Sequence, residues 1–244
     1  MDILYILGTG SKHDNQELRW ALRSVEKYGR NIDRVFVVGA NPGFLSDKVT
    51  YIPCEDRLHD KHKNMLYKVQ YAVLNSNISD VFLVSSDDVF LLKPLDAITY
   101  PLYYSCKLPE TADKHLSKNS YMYQLYNTRN FLVSHYMPTY KFALHCIHKM
   151  DKRFFLENRP LIMQAFEEEV GIEPNCLVNN WMIKEGYNYE IHQDHKLMHG
   201  EEYEDVTKRI KPDQTEFSVG DGVLNDYTID SINKMFPNKS KWEK

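Results

Sequence analysis

The first ninety residues alternate between short strand-like runs and amphipathic stretches, and this alternation is the strongest constraint on the fold. Runs that predict buried strands cover 3–7, 35–38, 48–52 and 81–84. Stretches that predict helices cover 14–28, closed by Gly29, and 61–74. Parallel strands need crossovers of a dozen or more residues, which are usually helices. The sequence therefore predicts an α/β fold with a mostly parallel sheet flanked by helices.

The pattern is looser after Pro94. Helices are predicted over 121–126, 139–150, 160–170 and 175–185, and strands over 187–192 and 216–219. No repeat or low-complexity linker separates the halves, so we expect one domain over 1–244 with a helical C-terminal annex. Residues 235–244 form a polar tail that we expect to dock on the body.

Composition and charge exclude several classes of protein. Hydrophobic residues make up 43% and charged residues 26% of the 244 residues, which is typical of a globular domain. A net charge of −4 gives no overall basic field that would attract nucleic acid. No apolar run approaches the ~18 residues of a membrane span and the first residues lack a signal-peptide pattern, so a cytoplasmic location is expected. Four separated cysteines without a C-x-x-C pair indicate buried thiols.

Two adjacent carboxylates, Asp87 and Asp88, lie between the apolar runs 81–84 and 89–92. Their repulsion and partial burial are costly unless a cation compensates. Neighbouring side chains of an extended backbone point to opposite sides, so one carboxylate can hold a metal and the other a sugar, a ribose or a neighbouring cation. Oxygen ligands without a nearby cysteine favour Mg²⁺ or Mn²⁺. The alternative is a solvated turn in which an aspartate caps the next element.

Ligands of parallel sheets bind beyond the carboxyl ends of the strands, where Gly8, Thr9 and Gly10 lie after the first run. This turn lacks the dinucleotide and Walker patterns but lets backbone approach a nucleotide. The start of the second helix carries Lys61, Asn64 and Lys68, which we expect to contact the phosphates of a donor. A solvated helix is the alternative.

Two segments resemble known transferases. A strand, an acidic motif at 86–88 and an apolar run ending in Lys-Pro-Leu are similar to nucleotide-sugar transferases of the GT-A fold, which is Rossmann-like. The start DNQELR at 14–19 resembles a block of the Stealth family of sugar-phosphate transferases. Weaker likenesses to that family lie at 135–138 and 236–243. The chain departs from it where the opening block is reduced to YILG and where an Asn-Asp pair becomes Gly220-Asp221.

The resemblance implies roles for several side chains. Asp87 and Asp88 are implied to be catalytic, with Asp88 as the first metal ligand. A ligand from late in the chain is implied at Asp221, with His192, His195 and His199 as rivals, although these histidines also fit a solvated loop.

Other implied roles are more dependent on the resemblance. His135 is a candidate general base, or else a hydrogen-bonded structural residue. Asp14 and Arg19 are implied to bind donor, whereas by pattern alone they are a helix cap and a surface charge.

The resemblance thus implies a metal-dependent transferase that uses a nucleotide-sugar donor and Mn²⁺ or Mg²⁺. Residues 1–96 would form the donor-binding half and 97–244 the acceptor side. The product could be a glycosyl or a sugar 1-phosphate group on a hydroxyl of a glycan, a protein or modified DNA. A catalytically inert sugar- or nucleotide-binding module is the alternative of another class.

Overall fold

A computed structural model describes residues 1–111, 117 and 120–244. The strands in chain order are β1 (Asp2–Leu7), β2 (Gly29–Arg30), β3 (Val35–Gly39), β4 (Val49–Pro53), β5 (Val81–Ser85), β6 (Val89–Leu91), β7 (Leu95–Asp96), β8 (Leu102–Tyr104), β9 (His148–Asp151), β10 (Tyr189–Ile191), β11 (Lys196–Leu197) and β12 (Glu216–Val219). The helices are α1 (Gln16–Tyr28), α2 (Lys61–Asn75), α3 (Tyr121–Ser134), α4 (Lys152–Glu157), α5 (Arg159–Glu167), α6 (Pro174–Lys184) and α7 (Asp226–Met235).

The central sheet has the strand order β4-β3-β1-β5-β9. The first four strands are parallel, and β9 runs antiparallel to β5. Alternate side chains of β1 enter two apolar layers, because Leu4 packs on the side of α2 and Ile3 on the side of α1. The predicted α/β class, the four early strands and both early helices are confirmed.

The three-residue spacing of Asp14 and Glu17 predicts a capping box at the start of α1, and this prediction is wrong. The N-cap is Asn15, which has a left-handed backbone and no capping hydrogen bond from its side chain. Instead, the Ser11 hydroxyl donates to Glu17 over 3.0 Å and accepts from the Asn15 amide. Asp14 also has a left-handed backbone, with φ of 51°. The motif therefore bends the chain sharply and turns Glu17 inward.

The helix predicted over 139–150 is wrong. Residues 139–147 form loop and turn, and His148–Asp151 is strand β9, which pairs with β5. The open edge of β5 needs backbone partners, and this tertiary demand overrides the local pattern. The strand predicted over 216–219 is confirmed as β12, which crosses back to pair with β6 in the first half. Helices α4 and α7 were not predicted.

The C-terminal tail docks on the body, as predicted. Glu243 is buried and accepts hydrogen bonds from Arg19 and Arg23 of α1. The Lys244 amide donates to the Phe44 carbonyl over 2.7 Å. The end of the chain is therefore clamped to α1 and to the loop before β4.

Two further features concern location and cysteines. Across the described residues, every helix is too short or too polar to cross a membrane. The prediction of buried thiols holds for Cys54, Cys146 and Cys176 but is wrong for Cys106, which is exposed.

Candidate functional site

A cleft with a volume of about 820 Å³ lies over the carboxyl ends of β1 and β5 and the start of α2. Most of the residues predicted to form a site line it, namely Gly8, Thr9, Gly10, Lys61, Asn64, Lys68, Asp87, Asp88 and Asp221. The structure thus brings the acidic pair, the glycine turn and the start of α2 to one place.

The acidic side of the cleft contains four carboxylates. Asp87 and Asp88 follow β5, Glu17 enters from α1 and Asp221 follows β12. Burial raises the pKa of Asp87 to about 7, and the charges of Asp88 and Glu17 add to this effect. Glu17 was not predicted to face a ligand, because its spacing from Asp14 indicated a capping box.

The direction of β12 brings Asp221 to the acidic pair. β12 runs antiparallel to β6, with Ser218 opposite Val89, so the chain leaving β12 travels towards the residues that precede β6. The Val219 amide accordingly donates to the Asp88 carbonyl over 3.4 Å. This crossing places a late-chain carboxylate in the same cleft as the strand-end pair.

Lys196 faces this acidic side from β11. Its ammonium lies 3.3 Å from Asp88 Oδ2, and about four fifths of each side chain is shielded from solvent. Sequence analysis missed this lysine, because the two-residue strand that positions it has no pattern of its own.

The opposite side of the cleft is formed by α2 and the loop before it. Lys61 is exposed at the first turn, where the helix dipole also favours an anion. Lys68 is buried, lies 2.7 Å from Asp56 and donates to the Leu7 carbonyl. Asn64 accepts from two loop amides, those of Arg57 and Leu58. Lys68 and Asn64 therefore hold the cleft wall together, while Lys61 remains available to a ligand.

His145 also lines the cleft, and sequence analysis missed it. Its Nδ1 lies 3.0 Å from Asp194 Oδ2 in the loop between β10 and β11. Burial would raise the pKa of Asp194, but the hydrogen bonds and charge of His145, together with a hydrogen bond from the Lys196 amide, outweigh burial and lower that pKa. Since Nδ1 bonds the carboxylate, Nε2 is left to face a ligand. The antiparallel direction of β9 explains the placement, because Val84 pairs with His148.

Besides the rival histidines His192 and His195, four predicted residues are outside the cleft lining. Arg19 pairs with Glu243 and lies 3.7 Å from the centroid of the Phe44 ring. Nε2 of His135 lies 2.7 Å from Gln164 Oε1, at the far end of α3. Asp14 lies in the bend before α1, and the exposed His199 uses its backbone carbonyl to accept from Arg209. The structure does not bring these four side chains to the acidic pair.

The carboxylates do not form a closed metal cage. Within the described part of the chain, no three side chains of the His, Cys, Asp and Glu types are close enough together to hold a metal ion. The donor chemistry is nevertheless that of Mg²⁺ or Mn²⁺, which commonly use few carboxylates together with water and substrate phosphate.

No family model matches the chain. A 107-residue stretch is 32% identical to a protein named exopolysaccharide phosphotransferase CpsY from Mycobacterium leprae strain TN. The match covers 38% of this chain, and the chain spans about a fifth of that relative's length. This partial similarity indicates a distant relationship to a protein named as a phosphotransferase.

Proposed function

We propose that this protein is a metal-dependent transferase that moves a sugar 1-phosphate from a nucleotide-sugar donor to a hydroxyl of a glycan acceptor. The observation that carries the proposal is the placement of Asp87 and Asp88 at the carboxyl end of β5, in a cleft that His145 and Lys196 also line. The partial similarity to an exopolysaccharide phosphotransferase favours phosphate transfer over glycosyl transfer.

Asp88 and Asp221 are the residues that would hold the metal, with further ligands from water and the donor diphosphate. When bound, Mg²⁺ or Mn²⁺ would neutralise charge on the transferred phosphate and on the leaving group. The raised pKa of Asp87 fits this role of the site, since a cation would relieve the crowding of carboxylates.

His145 would act as the general base. Nε2 takes the proton from the acceptor hydroxyl as that oxygen attacks the β-phosphorus of the donor. The bond from the β-phosphorus to the bridging oxygen breaks, and the nucleoside monophosphate leaves with the electron pair. Asp194 holds the imidazole in the required tautomer and stabilises it once it is protonated.

The basic side of the cleft would hold the rest of the donor. Lys61 and the first turn of α2 offer positive charge to the α-phosphate. The Gly8–Gly10 turn lets backbone approach the nucleoside, because two of its three residues have no side chain.

The test follows the nucleotide product by mass spectrometry. Purified protein is incubated with Mn²⁺, a panel of nucleotide sugars and oligosaccharide acceptors. The proposal expects a nucleoside monophosphate together with a phosphorylated glycan. A nucleoside diphosphate would indicate glycosyl transfer instead, and tight donor binding without turnover would indicate a binding module.

Matched variants locate the site. Asp88→Asn and His145→Gln should each lower turnover by roughly 100-fold or more. His135→Gln is the control for His145→Gln, because the same substitution falls outside the cleft. Equal turnover in the two histidine variants would remove His145 from the mechanism.

A further inference from the structure

The lysines that line the cleft differ in what they already bind. Lys68 is committed to Asp56 and to the Leu7 carbonyl. Lys61 is exposed on the side of α2. Lys196 alone of the three contacts the strand-end aspartates in the described structure, through Asp88 Oδ2 at 3.3 Å. It is therefore the cation that offsets the acidic side of the free cleft.

This position conflicts with a divalent metal. A divalent metal ion bound to Asp88 would lie close to the Lys196 ammonium, which contacts the same carboxylate. The repulsion between the metal ion and the ammonium is strong in a partly buried site. Either the ammonium leaves or the metal binds weakly.

The side chain of Lys196 can move while its backbone stays fixed. β11 is held by β12, with Lys196 opposite Ser218, and the Gly220 amide donates to the Leu197 carbonyl over 3.0 Å. A lysine carries its charge on a flexible four-carbon stem. The ammonium can thus leave Asp88 while the backbone of β11 stays in place.

We propose that Lys196 occupies the metal position of Asp88 in the free protein and transfers to the donor diphosphate when metal and donor bind together. The inference rests on the proposed function, since it needs a metal and a phosphorylated ligand in this cleft. The diphosphate is the nearest new anion once a metal covers Asp88. Metal and donor therefore bind cooperatively, because the donor draws the ammonium away from Asp88 and the metal frees the ammonium for the diphosphate.

The test measures binding rather than turnover. Mn²⁺ binding is followed by the electron paramagnetic resonance signal of the free ion, without nucleotide and with UDP, GDP or ADP. Lys196→Met removes the charge and keeps a long side chain, and Lys196→Gln is a second variant in case the first folds poorly. Lys239→Met is the control, since it removes the same charge from an exposed position far along the chain.

Lys196→Met should bind Mn²⁺ alone on the order of tenfold tighter than the unmodified protein, which corresponds to about 1.4 kcal/mol for a largely shielded charge pair. Its affinity for the nucleoside diphosphate in the presence of Mn²⁺ should fall by a similar factor. Structural damage would not raise metal affinity, so the opposite signs identify the transfer of the ammonium.

Other results separate the two proposals. If the unmodified protein binds Mn²⁺ and nucleotide and Lys196→Met has the same Mn²⁺ affinity, the role proposed for Lys196 is overturned and the proposed function is not. Absence of Mn²⁺ binding in every variant, with or without nucleotide, overturns both proposals. Mn²⁺ binding that appears only in Lys196→Met supports the inference in its strongest form.

Discussion

Asp87→Asn should stabilise the protein at alkaline pH, which is an unusual effect for a residue in a candidate active site. Burial and the neighbouring carboxylates raise the pKa of Asp87 from an ordinary value of 3.8 to about 7. Between these values the folded protein keeps a proton that the unfolded chain has released. Stability therefore falls as the pH rises from about 4, and the full loss is present above about pH 7.

The size of the effect follows from the same values. At about 1.36 kcal/mol per pH unit, lifting the pKa from 3.8 to about 7 corresponds to a cost of about 4 kcal/mol at pH 8.5. For a chain of this size, 1 kcal/mol shifts the melting temperature by about 2–4 °C. The uncharged amide of Asp87→Asn escapes the cost, so its melting temperature should exceed that of the unmodified protein by up to about 8–16 °C.

Thermal unfolding followed by circular dichroism at pH 4 and pH 8.5, with a chelator present, tests this reasoning. The two proteins should have similar melting temperatures at pH 4 and separate at pH 8.5. Asp47→Asn, which removes an exposed carboxylate, is the control. A stability difference that is the same at both pH values would refute the assignment of buried charge to Asp87.

Three further effects are expected. At pH 8.5, Mn²⁺ should raise the melting temperature of the unmodified protein, and it should raise the melting temperature of Asp87→Asn much less. Differential scanning fluorimetry would measure both shifts. Glu243→Gln should cost about 2 kcal/mol in the free energy of unfolding, whereas Lys234→Gln, which breaks an exposed ion pair, should cost below about 0.5 kcal/mol in the same urea titrations. Gly171→Ala should cost about 1–2 kcal/mol by the same assay, since its Cβ would lie 2.2 Å from the Asp60 oxygen that caps α2.

The sequence predicted the parts of the site that depend on local pattern. Asp87 and Asp88 follow a strand that is apolar enough to be recognised alone, and the carboxyl ends of parallel strands meet at one edge. Lys61 begins a helix whose apolar spacing is clear. The strand or helix that contains or precedes each of these residues is enough to place it in the cleft.

The parts that were missed depend on pairing between distant strands. His145 enters the cleft because β9 runs against β5, and a helix was predicted over that segment. Lys196 depends on a two-residue strand that exists only because β12 is beside it. Arg19 has the spacing of a surface charge, and its partner Glu243 lies 224 residues later. No local pattern encodes such contacts.

The clamp between α1 and Glu243 also sets the order in which the molecule can be completed. A ribosome makes residue 19 long before residue 243. Arg19, Arg23 and Phe44 therefore lack their contacts with Glu243 and Lys244 while most of the chain is synthesised. The parallel core around β1 can form during this interval. A chain without Glu243 would thus have a largely folded sheet with two uncompensated guanidinium groups, and we expect proteases to degrade such a chain.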